Sequence, residues 1–335
     1  MTRNRKKITM ATSITSNYAG ELALPYVAAA TLSGVTLSAP SVRILDNIKF
    51  KANIPNVATS GLIAAGACDF SDNSTITLTE RVLTPTELMV NVELCKKDWI
   101  SQWEAVSMGA GRLGQNIPSN IQGFLLEYIA GKVAEDMEYQ IWQGEAGGGG
   151  SYTRFDGWLE VIKDAAPVGN KFKGGAGAGS TDGSDTAITA LSAAGDPTDP
   201  AEVIAVMENF LAGVSTQVLQ SSDFTIWLNN KVLFALRRAQ AALGYKDDYF
   251  ERSSEFTSFL GYRVAPAYGL PDTHIVAGMK ENLVYGTDLM SDQIEANVID
   301  MALTDGSQNV RVVMRFTGGT QVGVVSDIYR YRYIA

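Results

Sequence analysis

The stretch GAGRLG, at 109–114, has the spacing of a dinucleotide-binding turn. That chemistry needs a strand before the glycines and a helix opening within them, so that free amides face a pyrophosphate. Here WISQWEAVSM, more helix-like than strand-like, comes first, and the next helix signal starts several residues later. The context predicts a joint between elements, not a cofactor loop. His274 is the single histidine, so a His-rich metal site is excluded and a catalytic triad would rest on this one ring. Its setting, LPDTHIVAG, predicts a loop or strand-edge position. Cys68 and Cys95 form no CxxC pair and make no disulfide framework, so neutral thiols are expected.

Carboxylates are more plentiful. Asp247, Asp248 and Glu251 cluster in GYKDDYFERSSEF, and Asp288 and Asp292 bracket a loop. Paired acids can run hydrolysis or hold a hard cation. No DxDxDG pattern and no GxxxxGK[ST] phosphate loop accompanies them, and acidic clusters of this kind are usually solvated faces. They define the competing reading, a carboxylate-based hydrolase. NST at 73–75 fits a glycosylation sequon but reads as a polar hairpin tip. No catalytic, cofactor-binding or metal-binding residue is assigned, and no cofactor is expected.

Composition narrows the class further. With 46% hydrophobic and 19% charged residues the chain reads as folded and soluble. Its 335 residues exceed what one compact core usually holds. A net charge of −9 excludes a general binder of polyanions through a basic body. The exception is Arg3, Arg5, Lys6 and Lys7, a short basic arm that either touches nucleic acid or stays solvated. The basic start has no apolar stretch behind it, so no secretory signal is read there, and no apolar run is long enough to cross a membrane. Synthesis in a reducing cytoplasm is the expectation.

Pattern then places the elements. Residues 1–40 read as an arm that must lie on something else. From 42 two long strand-like runs, VRILDNIKFKANIP and TITLTERVLTPTELMVNVELC, flank a tip of small residues and predict a protruding hairpin. Ile76, Leu78 and Glu80, and later Leu88, Val90, Val92 and Leu94, share a face by alternation. Ser119 and Gln122 form a capping box before a stripe of Tyr128, Ile129, Val133, Met137 and Ile141, predicting a helix over 119–143 about 35 Å long. Glycine clusters between 144 and 184 predict flexible loops or an insertion. Asp199, Pro200 and Glu202 open a second helix with Val203, Val206, Met207, Phe210, Leu211 and Val214 inside. DFTIWLNN predicts a buried strand ending in a cap at Asn229 or Asn230, followed by KVLFALRRAQAAL as a third helix. The remainder reads as strands. The class is α+β, with strands and helices partly segregated. An arm and a projecting ribbon cannot cover their own apolar sides, so self-assembly is implied.

Three passages resemble the major capsid proteins of tailed bacteriophages of the Hong Kong 97 type. They are FLGYRVAPAYGLPDTHIVAGMKENLVYGTDLMSDQI, DFTIWLNNKVLFALRRA and FTGGTQVGVVSDIYRY. GELALPYVAAATLSG, with ITLTERVLTPTELMVNVELCKKDW, looks closer to the crAss-like branch.

The resemblance implies an N-terminal arm at 1–40 and an E-loop hairpin at 41–98 that overlaps a neighbour. It implies a P-domain at 99–195 with a spine helix at 119–143 and a Gly-rich insertion. An A-domain follows at 196–300, with KENLVYGTDL at 280–289 connecting segments inside it, and C-terminal strands at 301–335 return to the sheets. The implied function is an icosahedral shell of hexamers and pentamers around double-stranded DNA, in the virion. The implied partners are further copies, DNA on the inner face (Arg3, Arg5, Lys6 and Lys7), and portal, scaffold and decoration proteins. A portal or other phage structural component is the third alternative. Lys49, Lys51 and Lys96 lie in or near the hairpin, but no acceptor is identified and no cross-linking role is assigned to them.

Overall fold

The computed structural model describes residues 35–38, 41–60, 75–95, 119–175, 189–190, 195–242, 257–288, 295–301, 306–307 and 309–334. In chain order the first half holds α1 (Val35–Ser38), β1 (Arg43–Leu45), β2 (Ala52–Ser60), β3 (Thr75–Leu83), β4 (Thr86–Cys95), α2 (Ser119–Gln143), α3 (Trp158–Ala165), β5 (Lys171–Gly174) and β6 (Thr189–Ala190). The second half holds α4 (Val203–Ala212), α5 (Thr216–Leu219), β7 (Phe224–Leu228), α6 (Asn230–Ala242), β8 (Thr257–Phe259), β9 (Tyr262–Pro266), β10 (His274–Met279), β11 (Leu283–Gly286), β12 (Glu295–Asp300), β13 (Asn309–Val322) and β14 (Ile328–Tyr333).

These make two sheets and a ribbon. A seven-stranded sheet runs β6-β5-β14-β10-β7-β9-β8. Its interior strand β7 is buried at every position, as a strand covered on both faces must be. Alternation sorts the two faces: Ile226 and Leu228 join the core with α4 and α6, whereas Trp227 and Val276 join the core with α2 and α3. In the second sheet β11 and β12 both pair with the long strand β13, and β1 and β4 complete it. The strut α2 packs over that sheet with Ile129, Val133, Met137 and Ile141 buried at four-residue spacing. Tyr128, placed on the same stripe by the sequence, is exposed instead. At the strut's end Trp142 meets Trp158 edge to face at 4.9 Å, with Trp227 at 6.5 Å.

The hairpin is shorter than the sequence pattern suggested. β2 and β3 pair as a separate ribbon, Ala52 opposite Leu83 and Ser60 opposite Thr75. β4 leaves it and pairs with β13 from Thr86 to Cys95. The single strand expected through 75–95 breaks at Thr84 and Pro85, because a proline lacks the amide that a continuing ladder needs. The first glycine cluster is also better tied than expected. Gly144 donates to Gln140 O at 3.0 Å, Glu145 N to Tyr152 O at 2.9 Å, and Gly157 N to Gly144 O at 2.7 Å.

The segment KENLVYGTDL carries the chain from one sheet to the other. β10 belongs to the seven-stranded sheet, a 3-10 turn over Lys280–Asn282 follows, and β11 joins the second sheet beside β13. Asn282 O accepts from Gly323 N at 2.9 Å, and the Thr287 hydroxyl donates to Thr317 O at 2.9 Å. Asn282 and Thr287 thus hold backbone groups, and Lys280 Nζ pairs with Asp223 Oδ1 at 2.9 Å.

Candidate assembly surfaces

The base of the ribbon is anchored in its own chain. Ile54 and Leu83 pack with Ile48 and Val284 in a small third core. Ile48 N donates to Thr287 O at 3.1 Å, and the Arg81 guanidinium donates to Gln321 Oε1 at 3.2 Å. Gln321 Nε2 returns a bond to Val82 O at 2.8 Å. Beyond this base the apolar side chains lie bare: Leu78 is 74% exposed, Ile76 62% and Val57 57%. Val57 stands directly opposite Leu78 in register, so these three side chains share one face. Burying the three would be worth about 1.5–3 kcal/mol each, yet the chain leaves them in water.

A receiving surface exists elsewhere on the molecule. Between β4 and α2 runs a groove of about 780 Å³ whose floor includes Leu88, Ile129, Val133, Met137 and Phe316. Glu87, Lys132, Asp136 and Arg154 stand among its polar lining residues. Among the described residues β4 pairs with β13 alone, which makes it an edge strand, and Met89 upon it is 68% exposed. An open edge with an apolar floor beside it is built for pairing with another segment.

The end of the arm docks on its own chain. Thr36 and Leu37 are buried against the strut. Thr36 Oγ1 donates to Glu138 Oε1, Thr36 N reaches Glu138 Oε2 at 3.3 Å, and Trp142 Nε1 donates to Thr36 Oγ1 at 2.9 Å. Gly269 N adds a longer bond to Glu138 at 3.5 Å. Burial holds the Glu138 carboxyl above the usual range, and the bonds from Thr36, Gly269 and Tyr268 pull it partly back. No pattern in the sequence marks Glu138, a polar residue inside an apolar stripe. A buried acid surfaces only once its donors, drawn from segments 102 and 131 residues away, are in place.

The remaining candidates resolve simply. His274 opens β10, opposite Arg332 on β14, and its Nδ1 lies 3.0 Å from Thr273 Oγ1. Burial first, and then Arg330, push the imidazole down to about 3, with Asp272 pulling weakly upward. Cys95 is a free, half-buried thiol at the end of β4. Lys49 and Lys51 are exposed, and Lys51 Nζ lies 5.6 Å from the Phe50 ring centroid. Asp288 is buried, its N–H donating to Thr317 Oγ1 at 2.9 Å. Arg3, Arg5, Lys6, Lys7, Cys68, Lys96, Asp247, Asp248, Glu251, Asp292 and the GAGRLG and NST stretches lie outside the described residues, Thr75 excepted. Among the described residues no group of three or more His, Cys, Asp or Glu could hold a metal ion. No described helix is long and apolar enough to cross a membrane.

This architecture is already represented among solved structures. A chain from the procapsid of satellite phage P4, in a structure including the size determination (Sid) protein, shares 13% identity over 96% of this chain and 94% of that one, with a TM-score of 0.59. A chain of Mycobacterium phage Adephagia gives 11% identity, 90% coverage of both and a TM-score of 0.57. A chain from the capsid of a native GTA particle gives 15% identity, 91% and 90% coverage and a TM-score of 0.54. The fold is the Hong Kong 97-type capsid fold. No family model and no curated protein matches the sequence. At such low identity the likeness is one of backbone path.

Proposed function

We propose that this chain is a major capsid protein. Copies assemble as hexamers and pentamers into an icosahedral shell that encloses double-stranded DNA, and the role is structural, not catalytic. The observation that carries this reading is the bare ribbon face of Val57, Ile76 and Leu78 together with the apolar groove between β4 and α2. An exposed apolar ribbon and, elsewhere in the same chain, an open apolar groove are both satisfied when the ribbon of one copy fills the groove of the next. The capsid fold supports the same conclusion. In that frame β2 and β3 belong to the E-loop, α2 is the spine, and the sheet carrying α4 and α6 is the A-domain. Membership of the crAss-like branch rests on GELALPYVAAATLSG and ITLTERVLTPTELMVNVELCKKDW alone.

Leu78→Ser tests the reading. At an exposed position it should change the stability of the isolated chain by no more than about 0.5 kcal/mol. Formation of capsomers or particles, followed by sedimentation and negative-stain microscopy, should drop sharply. A wild-type chain that stays monomeric under all conditions defeats the shell reading and favours an enzyme using Asp247, Asp248 or Glu251.

Arg3, Arg5, Lys6 and Lys7 are assigned to phosphate contact on the inner face, where binding is sequence-independent and salt-sensitive. Deleting residues 1–7 should lower DNA retention at moderate salt. Equal retention removes that assignment and leaves the shell untouched.

A further inference from the structure

Two neighbouring helices on the seven-stranded sheet show opposite charge to solvent. α6 turns Val232, Leu233, Ala235, Leu236 and Ala239 into the core. Its outer face therefore presents Lys231, Phe234, Arg237, Arg238 and Ala241. Phe234 is 62% exposed. A lone surface phenylalanine needs no explanation, but this ring sits on the crest with guanidinium groups three and four residues on. Lys231 is engaged by Asp272 at 2.8 Å, while neither arginine has an ion pair among the described residues.

α4 buries Val203, Val206, Met207, Phe210 and Leu211 in the same core. Its outer face, with the turn leading into it, presents Ala201, Ala205, Glu208 and Ala212 in one row, with Glu202 to one side. The alanines let another helix approach closely, and Glu208 within the row makes that surface negative. Glu202 holds Asp196 N at 2.8 Å through one oxygen. Glu208 is exposed and has no ion pair among the described residues.

We propose that α6 of one copy docks on α4 of a second copy. Phe234 lies over Ala205, and Arg237 and Arg238 point toward Glu208 and Glu202. Charge chooses the occupant. Two α6 faces would set guanidinium against guanidinium and two α4 faces carboxylate against carboxylate, whereas the mixed pairing is complementary throughout. The contact repeats from copy to copy and closes into a ring when the rotation allows, as long as the reciprocal α4-on-α6 contact is made with a different copy. The proposal rests on the shell reading and adds to it which helices meet.

The test compares the full chain with the pair Arg237→Glu and Arg238→Glu, and with that pair plus Glu208→Arg. Circular dichroism and melting should be unchanged, since all three positions are solvent-facing. Native mass spectrometry and sedimentation should show capsomers reduced about tenfold or more by the paired reversal and largely restored by the added Glu208→Arg. Phe234→Ser should weaken assembly without altering its dependence on salt.

Wild type that assembles together with a fully competent paired reversal overturns this contact and spares the shell. Loss of assembly without rescue by Glu208→Arg also overturns it. Normal assembly with loss of bound nucleic acid hands the α6 face to a polyanion and rejects the second copy as its occupant. Wild type that never assembles defeats the shell reading and this contact with it.

Discussion

The hydroxyl of Thr36 donates to the buried carboxyl of Glu138 across 102 residues of chain. The same hydroxyl accepts from Trp142 Nε1 at 2.9 Å, so one side chain serves both the acid and the indole of the strut. Thr36→Val keeps the shape and removes both services. The carboxyl then loses a donor and the indole N–H its acceptor, each inside the core. Leaving buried polar groups unsatisfied costs about 1–3 kcal/mol, so the urea midpoint should fall by a corresponding amount. An unchanged midpoint would show that the arm's end adds nothing to the body.

The same acid predicts a pH effect of definite sign. Burial is the largest influence on Glu138 and raises its carboxyl above the ordinary 4.5. The folded state therefore holds the proton more tightly than the unfolded chain. Its contribution is fully present below about 4.5 and is lost as pH rises through the higher folded value. Glu138→Gln, which keeps the hydrogen-bonding outline without a titrating group, should flatten this fall. Relative to wild type its melting temperature should improve as pH climbs from 4.5 toward neutrality. A parallel pair of curves would mean that the carboxyl is not strained by burial.

His274 acts in the opposite direction. Its imidazole, ordinarily near 6.5, is pushed to about 3 by burial and then by Arg330, while Asp272 opposes. The unfolded chain takes up the proton first as pH falls. Stability from this site is complete above 6.5 and drains away between 6.5 and about 3. His274→Gln should make unfolding less sensitive to acid in that window, read as a shallower drop in denaturant midpoint.

Gly286 ends β11 where the ribbon base leans on the second sheet. A Cβ there would lie 2.4 Å from Leu83 Cδ2 and 2.9 Å from Ile48 Cδ1. Gly286→Ala should cost about 1–3 kcal/mol through crowding. Hydrogen exchange should quicken first at β2 and β3, whose small core holds few residues to absorb the strain. Uniform loosening across both sheets would place the crowding elsewhere.

Local signals were readable wherever local packing decides structure. Val203, Val206, Met207, Phe210, Leu211 and Val214 are all buried as their spacing indicated. Asn229 caps α6 through a bond from Lys231 N to its Oδ1 at 2.9 Å. At the other helix the acid expected to close a capping box, Glu202, reaches Asp196 N instead, because the chain turns once more before α4 begins. Partner choice between strands was not readable. Nothing in ITLTERVLTPTELMVNVELC says that its first half pairs with β2 and its second with β13, since ladders join residues far apart in sequence. The groove and the buried acid were hidden for the same reason, each being made where distant segments converge. The capsid resemblance was legible from three short passages, and the backbone path bears out the α+β capsid fold that they implied.

β13 and β14 are the last two strands in chain order, and each lies inside a sheet: β13 is flanked by β4, β11 and β12, and β14 by β5 and β10. Neither sheet can therefore close before residues 309–333 have been made. Until then the ribbon base and the groove between β4 and α2 have no firm platform to stand on. Under the proposed shell reading, late completion of this sort acts as a timer that keeps half-made chains out of a growing particle.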